Sequence, residues 1–103
     1  MVDAQLEALS VDTRRQIYRL LVERPRSVGE LAGLVPVSRP AVSQHLKVLV
    51  DAELATVQTS GTRHVYSADP EGMGRLREWI DEMWETALGS FARFARDEQR
   101  KGT

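Results

Sequence analysis

The run Val35-Pro36-Val37-Ser38-Arg39-Pro40 constrains this chain more than any other stretch, because two prolines within six residues restrict where helices can end and begin. Proline lacks a backbone N–H and cannot continue a helix, so Pro36 closes whatever helix precedes it. Pro40 falls two residues after Ser38, where a serine hydroxyl can accept from an orphan N–H and a proline in the first turn costs nothing. A helix therefore starts at Arg39 and continues to about residue 52, with Val42, Leu46 and Leu49 on one side. Upstream, Ser27-Val28-Gly29-Glu30 fits a capping box opening a short helix to about residue 34. Two short helices joined by a break of three to four residues are the consequence.

The remaining pattern fits around this pair. Residues 3–9 read as a first helix, and residues 12–23 as a second, with Ile17, Leu20 and Leu21 opposite Arg14, Arg15 and Arg19. After residue 55 the period changes to alternation: Ala55-Thr56-Val57-Gln58-Thr59, a Ser60-Gly61-Thr62 turn, and Arg63-His64-Val65-Tyr66-Ser67 predict a two-stranded hairpin. Asp69-Pro70 then opens a last helix over about residues 71–96, roughly 40 Å long, and residues 99–103 read as a frayed tail. The expected fold is mainly α with a small β-hairpin: a winged helix-turn-helix of about five helices and a two-stranded wing, forming one domain over residues 1–98.

In such a scaffold the second helix of the pair lies in a DNA major groove about 12 Å wide, so its exposed residues must be short or able to read base edges. Ser38, Arg39, Pro40, Ala41, Ser43, Gln44 and Lys47 supply that face, with His45 at its margin. Arg pairs bidentately with guanine and Gln with adenine, while Ala or Pro touches a thymine methyl. An ordinary solvated helix face has similar composition; the hairpin directly behind it, with Gly61, Thr62 and Arg63 placed to meet flanking phosphate or minor groove, favours DNA.

The strings LSVDTRRQI (9–17), SVGELA (27–32), VSRPAVSQHLKVL (37–49) and GTRHVY (61–66), in order and spacing across residues 6–67, resemble the ArsR/SmtB family of winged-helix repressors. The resemblance implies that Arg39, Pro40, Ser43, Gln44 and His45 face the bases and that Gly61, Thr62 and Arg63 form the wing. One departure is Val11-Asp12, where the family commonly has Asp-Pro, which affects how the second helix is capped. Metal-sensing members carry cysteines on the third helix or carboxylate and histidine ligands on the last. Ser27 and Gly29 stand at the cysteine positions here, and the last helix has no histidine. Glu78, Asp81, Glu82 and Glu85 read as a solvated face, since transition-metal sensing favours imidazole and thiolate. No metal ligand set and no cofactor are expected, and the effector is open.

The last helix predicts the partner. Leu76, Trp79, Ile80, Met83, Trp84, Ala87, Leu88, Phe91 and Phe94 span an arc of about 180°, wider than one core requires, and together with Leu6 they predict a homodimer interface. Dimerisation is needed, because the 103 residues carry a net charge of −1, and phosphate affinity comes from Lys and Arg. The acid excess lies in residues 68–103, with eight acidic and six basic side chains, away from the reading head. A double-stranded, pseudo-palindromic operator is the expected partner, and a winged-helix protein-interaction module is the alternative. Catalysis is excluded by the lack of any Ser-His-Asp, Cys-His or phosphate-loop set in a chain with two histidines and no cysteine. No apolar run is long enough to span a bilayer, and a cytoplasmic location is expected.

Overall fold

The computed structural model describes residues 2–102. In chain order the elements are α1 (Val2–Ala8), α2 (Asp12–Glu23), β1 (Arg26–Ser27), α3 (Val28–Ala32), α4 (Arg39–Asp51), β2 (Ala55–Ser60), β3 (Arg63–Ala68) and α5 (Pro70–Lys101). The fold is the expected winged helix-turn-helix, mainly helical with an antiparallel hairpin.

The core forms where the helical stripes meet. Ile17 and Leu21 from α2, Leu31 from α3, and Val42, Leu46 and Leu49 from α4 are buried together with Leu54 and Ala55 at the start of the wing. Full burial of one such aliphatic side chain contributes about 1.5–3 kcal/mol, so this stripe fixes which side of α4 faces inward. Both predicted caps at the helix pair are present. Ser27 Oγ accepts from the Glu30 backbone N–H at 3.2 Å, and Ser38 Oγ accepts from Ala41 at 3.3 Å. The departure at Val11 has a local consequence: Val11 is the N-cap of α2 and makes no side-chain capping bond. Two arginines on α2 instead hold the chain before it, Arg14 Nε donating to Ala8 O at 2.7 Å and Arg15 Nη1 to Leu9 O at 2.8 Å.

The end of α4 is closed without glycine. Glu53 has φ +60°, its N–H donates to Val50 O at 3.0 Å, and the Leu54 N–H donates to Leu49 O at 2.9 Å. This is the Schellman pattern, with the buried pair Leu49 and Leu54 as its apolar contact. The chain leaves it directly into β2.

Three features depart from the sequence reading. The hairpin is joined by a third strand: β1 pairs antiparallel with β3, Arg26 opposite Tyr66 and Ser27 opposite Val65, in the order β1-β3-β2. Two residues are too few to show a period, but they tie the base of the wing to the start of α3. Helix α3 ends at Ala32 rather than near Leu34. Helix α5 begins at Pro70 and continues to Lys101, so residues 99–101, expected as frayed tail, are helical; Gly102 is the C-cap and Thr103 lies outside the described residues.

The buried residues of helix α5, Gly72 and Leu76, lie in its first turns, and α5 packs against α1. With 32 residues it is about 48 Å long, and it stretches the molecule to 72 × 25 × 21 Å.

Candidate nucleic-acid interface

The buried stripe of α4 leaves its opposite side in solvent. Pro40, Ser43, Gln44 and Lys47, at helical spacing i, i+3, i+4 and i+7, are all exposed and line one shallow depression. Ser38 and Arg39 are exposed at the head of the helix, and Ala41 is half-buried beside them. None of these carries a bulky apolar group that would hold the helix off a groove.

His45 is half-buried, and burial first, then the positive charge of Arg14, hold its imidazole below the ordinary histidine value. This burial sets it apart from the exposed Pro40, Ser43, Gln44 and Lys47.

The wing supplies the second element. Ser60 and Arg63 close a two-residue turn in which Gly61 has φ +62° and Thr62 does not have positive φ, the pattern of a type II′ hairpin. Gly61, Thr62 and Arg63 are exposed at its tip. Across the strands Thr59 Oγ1 and His64 Nδ1 lie 3.0 Å apart.

One organising residue escaped the sequence reading. Glu30, placed as a capping-box acid, also lies 3.0 Å from Arg24 Nη2 and 3.7 Å from Arg63 Nη2. It thereby links the end of α2, α3 and the wing. Partial desolvation pushes its carboxyl up, but the bond from the Ser27 backbone N–H and the charges of Arg24 and Arg63 outweigh this and hold it below the usual carboxylate range. Its capping-box spacing was visible in sequence; its distant arginine partners were not. Between these elements a cleft of about 300 Å³ opens between α3, the head of α4 and the wing tip.

The remaining predicted residues fall on α1 and α5. Trp79, Ile80, Met83, Trp84, Ala87, Leu88, Phe91 and Phe94 are exposed, with Trp84, Phe91 and Phe94 at 64%, 69% and 62%. Leu6 on α1 is 38% exposed. Leu76 is the exception, being 9% exposed and already packed within its own chain. Among the described residues no three His, Asp or Glu side chains converge as a metal site, and no helix is long and apolar enough to cross a membrane.

Residues 12–57 match the model described as "Bacterial regulatory protein, arsR family". The chain is 48% identical over 96 residues to the HTH-type transcriptional regulator Rv2034 of Mycobacterium tuberculosis, covering 93% of this chain and 90% of that one. It is 33% identical to an arsenical resistance operon repressor of Staphylococcus xylosus, over 74% of this chain and 73% of the relative. Among solved structures, an ArsR-like transcriptional regulator from Rhodococcus sp. RHA1 superposes with a TM-score of 0.72 at 29% identity, covering 91% of this chain and 92% of that one. The chain belongs to the ArsR family of bacterial regulatory proteins and is a DNA-binding transcriptional regulator, not an enzyme.

Proposed function

We propose that this regulator is a homodimeric repressor that reads a pseudo-palindromic operator with two copies of α4, without the usual metal switch. The observation that carries the reading is the pairing of an open, polar α4 face with an α5 whose apolar side projects into solvent. A monomer with Trp84, Phe91 and Phe94 this exposed presents an apolar surface that a soluble chain normally covers. A two-fold partner covers it most economically and brings a second reading helix about one DNA turn, roughly 34 Å, from the first. Pairing also doubles the phosphate contacts of a chain whose net charge is −1.

Arg39 and Gln44 are the base readers in this scheme, Ser43 and Lys47 their flanks, and Arg63 a phosphate contact. The absence of cysteine from the sequence supports release by something other than a thiolate-bound metal.

The deciding experiment is a mobility-shift titration of the full chain on the promoter upstream of its own gene, at two salt concentrations and with zinc added. A salt-sensitive shift that zinc leaves intact supports the reading. No shift on that or any neighbouring promoter would instead favour a winged-helix protein-interaction module, and metal-dependent release would overturn the absence of a metal switch.

A further inference from the structure

We propose that the cleft between α3, the head of α4 and the wing is a binding site for a small phosphate-class oxyanion, and that its occupancy competes with DNA. The second half of this rests on the DNA-binding reading of α4 and the wing; the first does not.

The donors that line the cleft are of one kind. Arg39 and Arg63 present guanidinium groups, His64 an imidazole, and Ser27 and Thr62 hydroxyls. A tetrahedral oxyanion takes up such donors on several oxygens at once, and guanidinium binds it bidentately. Charge at the site is out of balance. Glu30 is the acid in the cluster, and it lies closer to Arg24, at 3.0 Å, than to Arg63, at 3.7 Å. Arg39 has no carboxylate partner among the described residues. Three guanidiniums (Arg24, Arg39, Arg63) against one carboxylate leave two positive charges, which one phosphate dianion would neutralise.

The floor is kept open by Gly29. A Cβ built there would lie 3.9 Å from Nη1 and from Nη2 of Arg39, and 3.9 Å from Ser27 Oγ. The guanidinium and the hydroxyl thus converge over the one residue that has no side chain. The antiparallel pairing of β1 with β3 holds Ser27 opposite Val65, which ties the residue that caps α3 to the strand that carries Arg63 and His64.

Arg39 and Arg63 are also the residues assigned to DNA. Arg63 takes a backbone phosphate in that scheme and Arg39 a base edge, and one free anion bridging the two guanidiniums in the cleft withdraws both from the duplex. A ligand that binds only the DNA-free state weakens DNA binding by the factor 1 + [L]/Kd.

The test separates the two sources of phosphate. DNA-free protein is titrated with inorganic phosphate against chloride at constant ionic strength, following backbone amide resonances. Saturable shifts confined to Gly29, Thr62, Arg63 and His64 are expected. Arg39→Gln and Gly29→Leu, the latter filling the floor while keeping every charge, should each raise the phosphate dissociation constant by at least about tenfold. Shifts that do not saturate, or that persist unchanged in Gly29→Leu, would overturn the site. A duplex titration at the same ionic strength should then show weaker binding in phosphate than in chloride, and equal binding would overturn the competition. Saturation in the cleft from a protein that shifts no duplex would leave the anion site standing and remove only the DNA reading.

Discussion

The backbone N–H of Gly72 donates to the carbonyl oxygen of Glu53 at 2.9 Å, and a Cβ on residue 72 would lie 2.3 Å from that same oxygen. The first turn of α5 is therefore pressed onto the turn that ends α4. Arg75 Nη1 meets the Glu53 carboxylate at 2.5 Å, and the Asp69 N–H donates to Leu54 O at 2.9 Å, so three successive contacts join the end of α4, the helix proposed to read DNA, to the helix proposed to pair with a partner.

Gly72→Ala tests this junction. Backbone faces the missing side chain, so it cannot be moved aside like the end of a lysine; forcing atoms into packed space costs about 1–3 kcal/mol. The midpoint of chemical denaturation should fall accordingly. Gly74→Ala, where nothing lies within 4 Å of the added Cβ, is the control and should not be destabilised. Equal stability of the two variants would mean that α5 is not seated as described.

Much of this arrangement could be read from sequence, and the exceptions share a cause. The caps at Ser27 and Ser38, Pro40, the α4 stripe and the Gly61 turn are local signals, each set by residues no more than four positions from the next. The Glu53 turn was invisible because Gly or Asn normally marks a left-handed position; the surrounding contacts to Gly72 and Arg75 stabilise glutamate there instead. Strand β1 depends on a partner forty residues away. For the reading face, exposure of Arg39, Ser43, Gln44 and Lys47 followed from the buried period, whereas the link from Glu30 to Arg63 needed the wing folded back on α3.

Gln44→Ala should act on base preference. Gln44 is exposed at the middle of the open face, with its amide free of any intramolecular bond among the described residues. A good bidentate contact is worth about 1–3 kcal/mol of discrimination, so selection of bound fragments should lose preference at one base pair in each half-site. An equal loss on all sequences would show that Gln44 does not read a base.

Arg63→Ala should act on salt dependence. Arg63 is exposed at the wing tip, and its one ion pair among the described residues is the 3.7 Å approach to Glu30, so it can reach a phosphate at small cost. Each phosphate contact contributes about 0.9 to the slope of log K against log salt, so the slope should fall by about one unit per protomer with base preference unchanged. A slope equal to the wild type would place the wing away from the backbone.

Met83→Glu should split the dimer. Met83 lies on the exposed apolar side of α5 and is not needed by the chain's own core, so the monomer should keep its helical signal. A carboxylate buried against Trp and Phe side chains of a partner costs several kcal/mol unless it is paired. Sedimentation should show a monomer with wild-type helicity, and a profile still dimeric would move the interface elsewhere.

The pH dependence of stability should carry the mark of His45. Its folded-state value is below the ordinary 6.5, through burial first and the charge of Arg14 second, while the unfolded chain retains the ordinary value. Above 6.5 both states are neutral at this position and the full stability is present. As the pH falls through 6.5 the unfolded state takes up the proton first, so stability is lost progressively until the pH passes the folded value as well. His45→Gln removes that proton uptake, and its stability curve should be flatter than the wild type just below pH 6.5. The difference between the two curves cancels every other titrating group to first order, including Glu30, whose lowered value places its own loss at more acidic pH. Denaturation midpoints measured in parallel from pH 7.5 to 5 would read this directly. Parallel curves would mean that His45 is solvated like a free imidazole and is not packed toward Arg14.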